Sequence, residues 1–409
     1  MSSTHTAETP EARGAARGVV GVDAETIIEN TRRLVPRLRE RLSRTEQLRR
    51  LPDETVKELT EAGVFSLLLP RSLGGAGGGI RDFVEVVRTL ARGHLSVAWT
   101  TAFLMEHNYM LARFPAETQR EVFRDGRPAL MAALIHLPGE AVSVDGGYRI
   151  TGSFRYASGI MHADWVAIFA WDQSSGRGPM VCILPRADVE VSDTWFMSGM
   201  GGTGSHDVKV EDRFVPEHRT VDLEVWASRQ NPGADLHPEP TYSYSLADIL
   251  GFMLPAMAVG AAEVMLEEYR DRLETRRAPH SFGPIGDTVG AQMRYTRALA
   301  ELRMAQAAME HTIETTIAAN ERSAENWSTE ARMEFTLMMM SVINKAAESI
   351  EIGIRGSGSS IFKSDSPTQA FWRDIEVLRS HWAIDEDAVL ARVGSILLGR
   401  ATAPPNAIF

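Results

Sequence analysis

His381 and Asp385 stand four residues apart in the stretch Phe371-Trp372-Arg373-Asp374-Ile375-Glu376-Val377-Leu378-Arg379-Ser380-His381-Trp382-Ala383-Ile384-Asp385. On a continuous helix they share one face. A carboxylate one turn from an imidazole fixes its tautomer and raises its basicity, which equips a general base. Two more candidates lie far upstream. His107 sits on an apolar helical stretch beside Phe103 and Met110, as either a satisfied core histidine or a substrate contact. Ser158-Gly159 follows Tyr156-Ala157, an odd place for a mere turn.

The elements that must position these groups fall into three blocks. Apolar residues recur at helical spacing over residues 23–50, with further short helices expected at 53–62, 80–92 and 96–114. The pattern changes near Ala129. Met131 to Ile135 is an apolar run, and alternation around Asp145-Gly146 predicts a hairpin over 142–150. Strands are expected at 165–171, 180–184 and 207–215, the last ended by Pro216. Long helical runs return at 245–276, 287–319, 329–355 and 367–398, which reads as a four-helix bundle. The expected division is a disordered tail at 1–22, a helical domain at 23–126, a β domain at 127–235 and the bundle at 236–409.

Bulk properties narrow the partners. The chain has 409 residues, 44% of them hydrophobic, and a formal charge of −11. It shows no dense basic cluster, which argues against nucleic acid or an anionic membrane as a main partner. No apolar run approaches the roughly 18 residues of a membrane span. The tail lacks a signal peptide's apolar core. A lone cysteine, Cys182, excludes an intrachain disulfide framework and a Cys-rich metal site. It suits a reducing cytoplasm, the expected location. The long-helix methionines, such as Met338, Met339 and Met340, read as core. Arg373-Asp374 reads as an ion pair anchoring the bundle or a subunit contact.

Gly199-Met200-Gly201-Gly202-Thr203-Gly204 satisfies G-x-G-x-x-G. A dinucleotide fingerprint must follow a strand and open a helix. Here an alternating strand follows, so a Rossmann site is rejected. The glycines serve a tight turn or a close backbone approach.

Set together, several phrases carry a resemblance. They are Ser96-Val97-Ala98-Trp99, Glu106-His107-Asn108, Tyr156-Ala157-Ser158-Gly159 with Asp164-Trp165, Gly201-Gly202-Thr203-Gly204-Ser205, Gly356-Ser357-Gly358-Ser359-Ser360, and Trp372-Arg373-Asp374 with His381. In this order they resemble the acyl-CoA dehydrogenase superfamily over about residues 25–400. That resemblance implies an α+β architecture: an N-terminal helical domain, a middle β-barrel or sandwich, and a C-terminal four-helix bundle. Dehydrogenases commonly keep a glutamate base shortly after the Arg-Asp pair. This chain has Ser380-His381-Trp382 there. The wording looks more like the flavin-dependent monooxygenase branch, the oxygenase components of two-component phenol hydroxylases.

That branch implies the following. Reduced FMN or FAD, made by a separate flavin reductase, reacts with O2, and a C4a-hydroperoxyflavin hydroxylates a small phenolic or indolic aromatic. His381 would be the base, Asp385 its orienting partner, Ser158 the hydroxyl beside the flavin N5, and His107 a substrate contact. Trp99, Ala133, Leu134, Ile135, Tyr156, Ala157 and Gly204 would surround the flavin. Arg276 (or Arg277), Ser359 and Ser360 would meet its phosphate end, and the assembly would be a homotetramer. Hydroxylases of this type often carry serines on the strand facing the substrate. Met131-Ala132-Ala133-Leu134-Ile135 has none. The competing readings are a dehydrogenase with its base on another helix, an amine N-hydroxylase, and a flavin-sequestering scaffold without turnover.

Overall fold

The computed structural model describes residues 21–402 apart from 177, 278–282, 323–327 and 364–365. Most of the expected tail, residues 1–20, lies outside that range, as do the side chains of residues 135–138.

Helices α1 (Ala24–Glu40), α2 (Leu42–Leu48), α3 (Asp53–Glu61), α4 (Ile80–Gly93), α5 (Leu95–Leu111) and α6 (Ala116–Val122) come first. Their ends follow local chemistry. Asp23 caps α1 through Thr26 N–H at 2.8 Å, and Asp82 reaches back to Gly79 N–H at 2.9 Å to close the start of α4. Helix α5 is different. Apart from half-buried Phe103, its residues are buried on every face, polar ones included. A helix without an exposed stripe belongs in a core, and α5 is the helix that carries Trp99 and His107.

Strands β1 (Met131–Val144), β2 (Gly147–Ala157), β3 (Trp165–Trp171), β4 (Met180–Pro185), β5 (Glu190–Ser192), β6 (His206–Pro216) and β7 (Thr220–Asp222) form one sheet. Its order is β5-β6-β2-β1-β3-β4-β7. The β1–β2 hairpin pairs Val144 with Gly147 around the Asp145-Gly146 turn. The sheet rolls on itself, because β4 and β6 touch although three strands lie between them. Its inner face gathers a core of its own, including Leu134, Ile150, Phe154, Ile168 and Cys182. The outer face packs on the helices, so alternate residues of β1 serve different cores.

Short α7 (Leu223–Ala227) and α8 (Ala247–Leu250) lead to α9 (Met253–Thr275), α10 (Val289–Arg322), α11 (Thr329–Ser357), α12 (Pro367–Arg379) and α13 (Glu386–Leu397). The 247–275 stretch is long and apolar enough to cross a membrane, but 94% of its most apolar window is buried inside the protein. It is the core helix, packed against α4, α10 and α11. The expected fourth long helix, residues 367–398, is two helices with a break at 380–385. This correction bears directly on the site.

Candidate active site

Trp99, Phe103 and His107 follow one another at four-residue spacing and stack along one side of α5. The Trp99 and Phe103 ring centroids are 5.2 Å apart, and those of Phe103 and His107 are 5.5 Å apart. His107 is buried, and its Nδ1 lies within a short hydrogen bond of the Met131 carbonyl. The carbonyl can only accept, so Nδ1 carries the proton. Burial pushes the His107 pKa down to about 4, so the ring is neutral at pH 7. His107 thus joins α5 to the start of β1.

A pH dependence follows. The folded pKa lies below the unfolded value of about 6.5, so the unfolded chain binds the extra proton between them. The stabilising contribution is complete above about pH 6.5 and lost as pH falls toward about 4, up to about 3 kcal/mol. Urea titrations should show His107→Phe less stable than the parent at pH 7, because Met131 loses its donor. The difference should narrow by pH 4.5. A constant difference would exclude this origin.

Ser158 sits just past β2, where Tyr156 takes a positive φ of 70°. Such a conformation is costly for a tyrosine and marks a place where surroundings dictate the backbone. Ser158 Oγ accepts from Trp99 Nε1–H at 3.0 Å and lies 2.8 Å from Ser205 Oγ. Trp99 also meets the His381 imidazole edge-on, with centroids 5.4 Å apart. One indole therefore bridges Ser158 and His381, residues more than two hundred positions apart.

The turn between β5 and β6 completes this side. Met200 and Gly204 take φ of 54° and 56°. A Cβ on Gly199 would lie 2.3 Å from the Arg373 carbonyl, so only glycine lets the turn approach α12. Asp374 Oδ1 accepts from Met200 N–H at 2.5 Å. Burial pushes this carboxyl up to about 7. Arg373 and Asp374 do not pair with each other as expected. Arg373 pairs with Glu46 at 2.9 Å and donates to the Ser198 carbonyl. Together they latch the bundle onto the glycine turn.

The shared helical face of His381 and Asp385 is corrected. Helix α12 ends at Arg379, and His381 has an extended ψ of 133°. His381 Nδ1 accepts from Ala383 N–H at 3.3 Å, capping a single 3-10 turn. Exposed Asp385 caps α13 through Ala388 N–H at 2.9 Å, with Glu386 and Asp387 in the first turn. Acidic groups are favoured at that helix end. The helix start occupies Asp385, and it has no helical register with the imidazole.

Other predicted residues divide. Ala133 is half-buried against the helical core, as is Phe103. Leu134 points into the sheet's own core, so it cannot present its side chain beside Ala133. The Ile135 side chain lies outside the described residues. Ala157 is buried in the sheet core, while Tyr156 is exposed with its ring 6.2 Å from Trp195. Arg276, Ser359 and Ser360 gather at one end of the bundle. Arg276 Nη1 donates to the Ser357 carbonyl at 2.5 Å, and Arg272 Nη1 to Ser360 Oγ at 3.3 Å. Arg277 bridges instead to Pro284.

Thr203 and Ser205 were missed as site residues. Both lie inside the quoted glycine phrase, but their hydroxyls meet Ser158 only when the turn folds onto β2. Thr203 Oγ1 is 2.7 Å from Ser205 Oγ and 3.0 Å from the Met200 carbonyl. Buried carboxylates on the helices include Glu106 on α5, whose pKa burial pushes up, and Glu263 on α9. Glu263 is held by Arg88 at 2.9 Å, Arg92 at 3.0 Å and Gln306 at 2.6 Å. No group of three or more metal-binding side chains occurs among the described residues. A cavity of about 250 Å³ lined by Met340, Asn344, Glu376 and Ser380 holds none of the predicted site residues.

The site is thus an aromatic wall with one hydroxyl cluster and one half-buried imidazole, and this set fits a flat heteroaromatic ring. Comparison with known proteins gives that fit a context. Residues 23–124 match the acyl-CoA dehydrogenase N-terminal domain, and residues 252–386 the C-terminal domain. A pigment production hydroxylase of a Rhodococcus species is 31% identical over 93% of this chain and 98% of its own. The flavin-dependent monooxygenase oxygenase subunit HsaA of Rhodococcus jostii is 29% identical over 88% of this chain and 95% of its own. The solved structure of XiaF from a Streptomyces species, in complex with FADH2 and glycerol, superposes with a TM-score of 0.87 at 25% identity. It covers 94% of this chain and 98% of its own. This chain belongs to the acyl-CoA dehydrogenase superfamily and, within it, to the flavin-dependent monooxygenases, oxygenase components that use reduced flavin from a separate reductase.

Proposed function

We propose that the enzyme hydroxylates a small phenolic or indolic ring at the face of Trp99, with Ser158 beside the flavin N5 and His381 at the substrate oxygen or nitrogen. The observation that carries this reading is the Trp99 indole joining Ser158 to His381. An imidazole stands where dehydrogenases commonly place a glutamate. Relatives named a resorcinol hydroxylase and an indole-3-acetate monooxygenase, 28% and 27% identical, support the substrate class. Reduced FMN or FAD, when bound, supplies the electrons that activate O2.

The residues do the rest. With Nδ1 accepting from Ala383, a neutral His381 keeps its proton on Nε2. Nε2–H therefore donates to the substrate oxygen and favours its anionic form, rather than acting as the base expected from sequence. An unperturbed phenol has a pKa of about 10, so this help is needed near neutral pH. Ala133 and Phe103 supply apolar contact and exclude water. Arg276 with Ser359 and Ser360 suits the phosphate end, where charge-assisted bonds are strong. We also infer a cytoplasmic homotetramer, from the lone buried Cys182 and the family.

Oxygen uptake should require reduced flavin, supplied by a reductase or chemically, and acyl-CoA thioesters should give no turnover with an artificial acceptor. Acceptor reduction by an acyl-CoA in the absence of O2 would restore the dehydrogenase reading.

A further inference from the structure

Three buried hydroxyls, on Ser158, Ser205 and Thr203, form a chain that begins at an N–H and ends at a carbonyl. Each residue is at least nine-tenths buried. Trp99 Nε1–H can only donate, and it donates to Ser158 Oγ at 3.0 Å. The Met200 carbonyl can only accept, and Thr203 Oγ1 lies 3.0 Å from it. Between these fixed ends, Ser158 and Ser205 are 2.8 Å apart, and Ser205 and Thr203 are 2.7 Å apart.

Each hydroxyl owns one proton. Let them run toward Met200: Ser158 donates to Ser205, Ser205 to Thr203, Thr203 to the carbonyl. Every proton then has an acceptor. Run the other way, Thr203 donates to Ser205 and Ser205 to Ser158. The Ser158 proton is then left without an acceptor among the described residues. Met200 loses little in that case, because it still accepts from Trp195 Nε1–H at 3.0 Å and Thr203 N–H at 3.2 Å. The orderings differ by one buried hydrogen bond, and the first is favoured.

We propose that Thr203 and Ser205 are positioning residues that set Ser158 as a hydrogen-bond acceptor, so that the site selects reduced over oxidised flavin. This deepens the functional reading and rests on Ser158 facing N5. Reduced flavin carries a hydrogen on N5 and oxidised flavin a lone pair. An accepting Ser158 keeps one lone pair free of Trp99, which matches N5–H. Against oxidised flavin it sets lone pair against lone pair, unless the whole relay reverses and gives up the Thr203–Met200 bond. The turn is held to make this alignment. Gly159 N–H and Thr100 Oγ1–H both reach the Thr203 carbonyl, at 3.2 and 3.4 Å. Asp374 fixes Met200 from the bundle.

The test is the ratio of dissociation constants for oxidised and reduced flavin, with FMN and FAD each titrated aerobically and after anaerobic photoreduction. The parent protein should favour the reduced form. Thr203→Val and Ser205→Ala should each shift the ratio toward the oxidised form on the order of tenfold, the equivalent of about one buried hydrogen bond. Thr203→Ser, which keeps the hydroxyl, should restore it. If Thr203→Val does not fold, Ser205→Ala and its circular dichroism decide alone. Unchanged ratios in folded relay variants, with a changed ratio in Ser158→Ala, would overturn the relay and leave Ser158 at N5. Unchanged affinities in Ser158→Ala would remove Ser158 from the flavin, and the relay with it.

Discussion

Replacing His381 by alanine is expected to slow aromatic hydroxylation by about 10²–10³-fold near neutral pH, the usual worth of one hydrogen-bond donor aimed at a developing anion. Flavin affinity should change little. The imidazole packs T-shaped against the Trp99 ring, whereas Ser158 occupies the indole N–H. Oxygen would still be consumed and released as hydrogen peroxide, so product per O2 falls with the rate. The pH profile separates this role from a structural one. If His381 favours the phenolate by donating from Nε2, the variant's deficit should shrink as pH approaches about 10, where free phenolate is abundant. His381→Gln, which offers an N–H, should recover part of the loss. A deficit equal at all pH values would point to a structural role instead.

Replacing Arg113 by methionine is expected to cost about 3–5 kcal/mol of stability, a large fraction of the roughly 5–15 kcal/mol a folded domain has. The guanidinium is fully buried just beyond α5. It donates to the Trp226 carbonyl at 2.7 Å, to Tyr109 Oη at 2.8 Å, to the Tyr244 carbonyl at 2.9 Å and to the Ser228 carbonyl. Burial lowers its pKa from the ordinary guanidinium value. Methionine fills much of the space but removes the Trp226 carbonyl's donor and leaves the Tyr244 and Ser228 carbonyls with Tyr109 Oη–H and Asn231 Nδ2–H alone, and each buried group left unsatisfied costs about 1–3 kcal/mol. These bonds tie the segment after the sheet to the helix bearing Trp99. Arg113→Lys should recover less than half, since an ammonium lacks the planar fork. Urea unfolding with an unchanged m-value would measure the loss. A change under about 1 kcal/mol would show that the segment finds other donors.

The elements with a strong period were legible. The Asp145-Gly146 hairpin, α4 and the apolar α9 all follow local rules that packing did not override. The break at 380–385 was legible too and was overlooked. Asp385-Glu386-Asp387 is an N-terminal signature, but apolar residues on both sides keep a helical spacing that hides it. The outward and inward sides of Ala133 and Leu134 follow from strand alternation, which a flavin wall of consecutive residues ignores. The three-residue strands β5 and β7 are too short for any pattern; they exist because β6 and β4 offer edges. The hydroxyl relay lay beyond reach. Ser158 and Ser205 are 47 positions apart, and only the rolled sheet brings them together. The Trp99–His381 contact likewise needs the first and last helical blocks to meet.

The most direct measurement is a single turnover under isotopically heavy O2 with reduced flavin and a panel of phenols and indoles, read by mass spectrometry. A flavin-dependent aromatic hydroxylase predicts that at least one panel member gains a single heavy oxygen atom on its ring, with none gained when flavin is supplied oxidised. Recovery of all the label as hydrogen peroxide and water across the panel, with every substrate returned unchanged, would contradict aromatic hydroxylation as the activity of this chain.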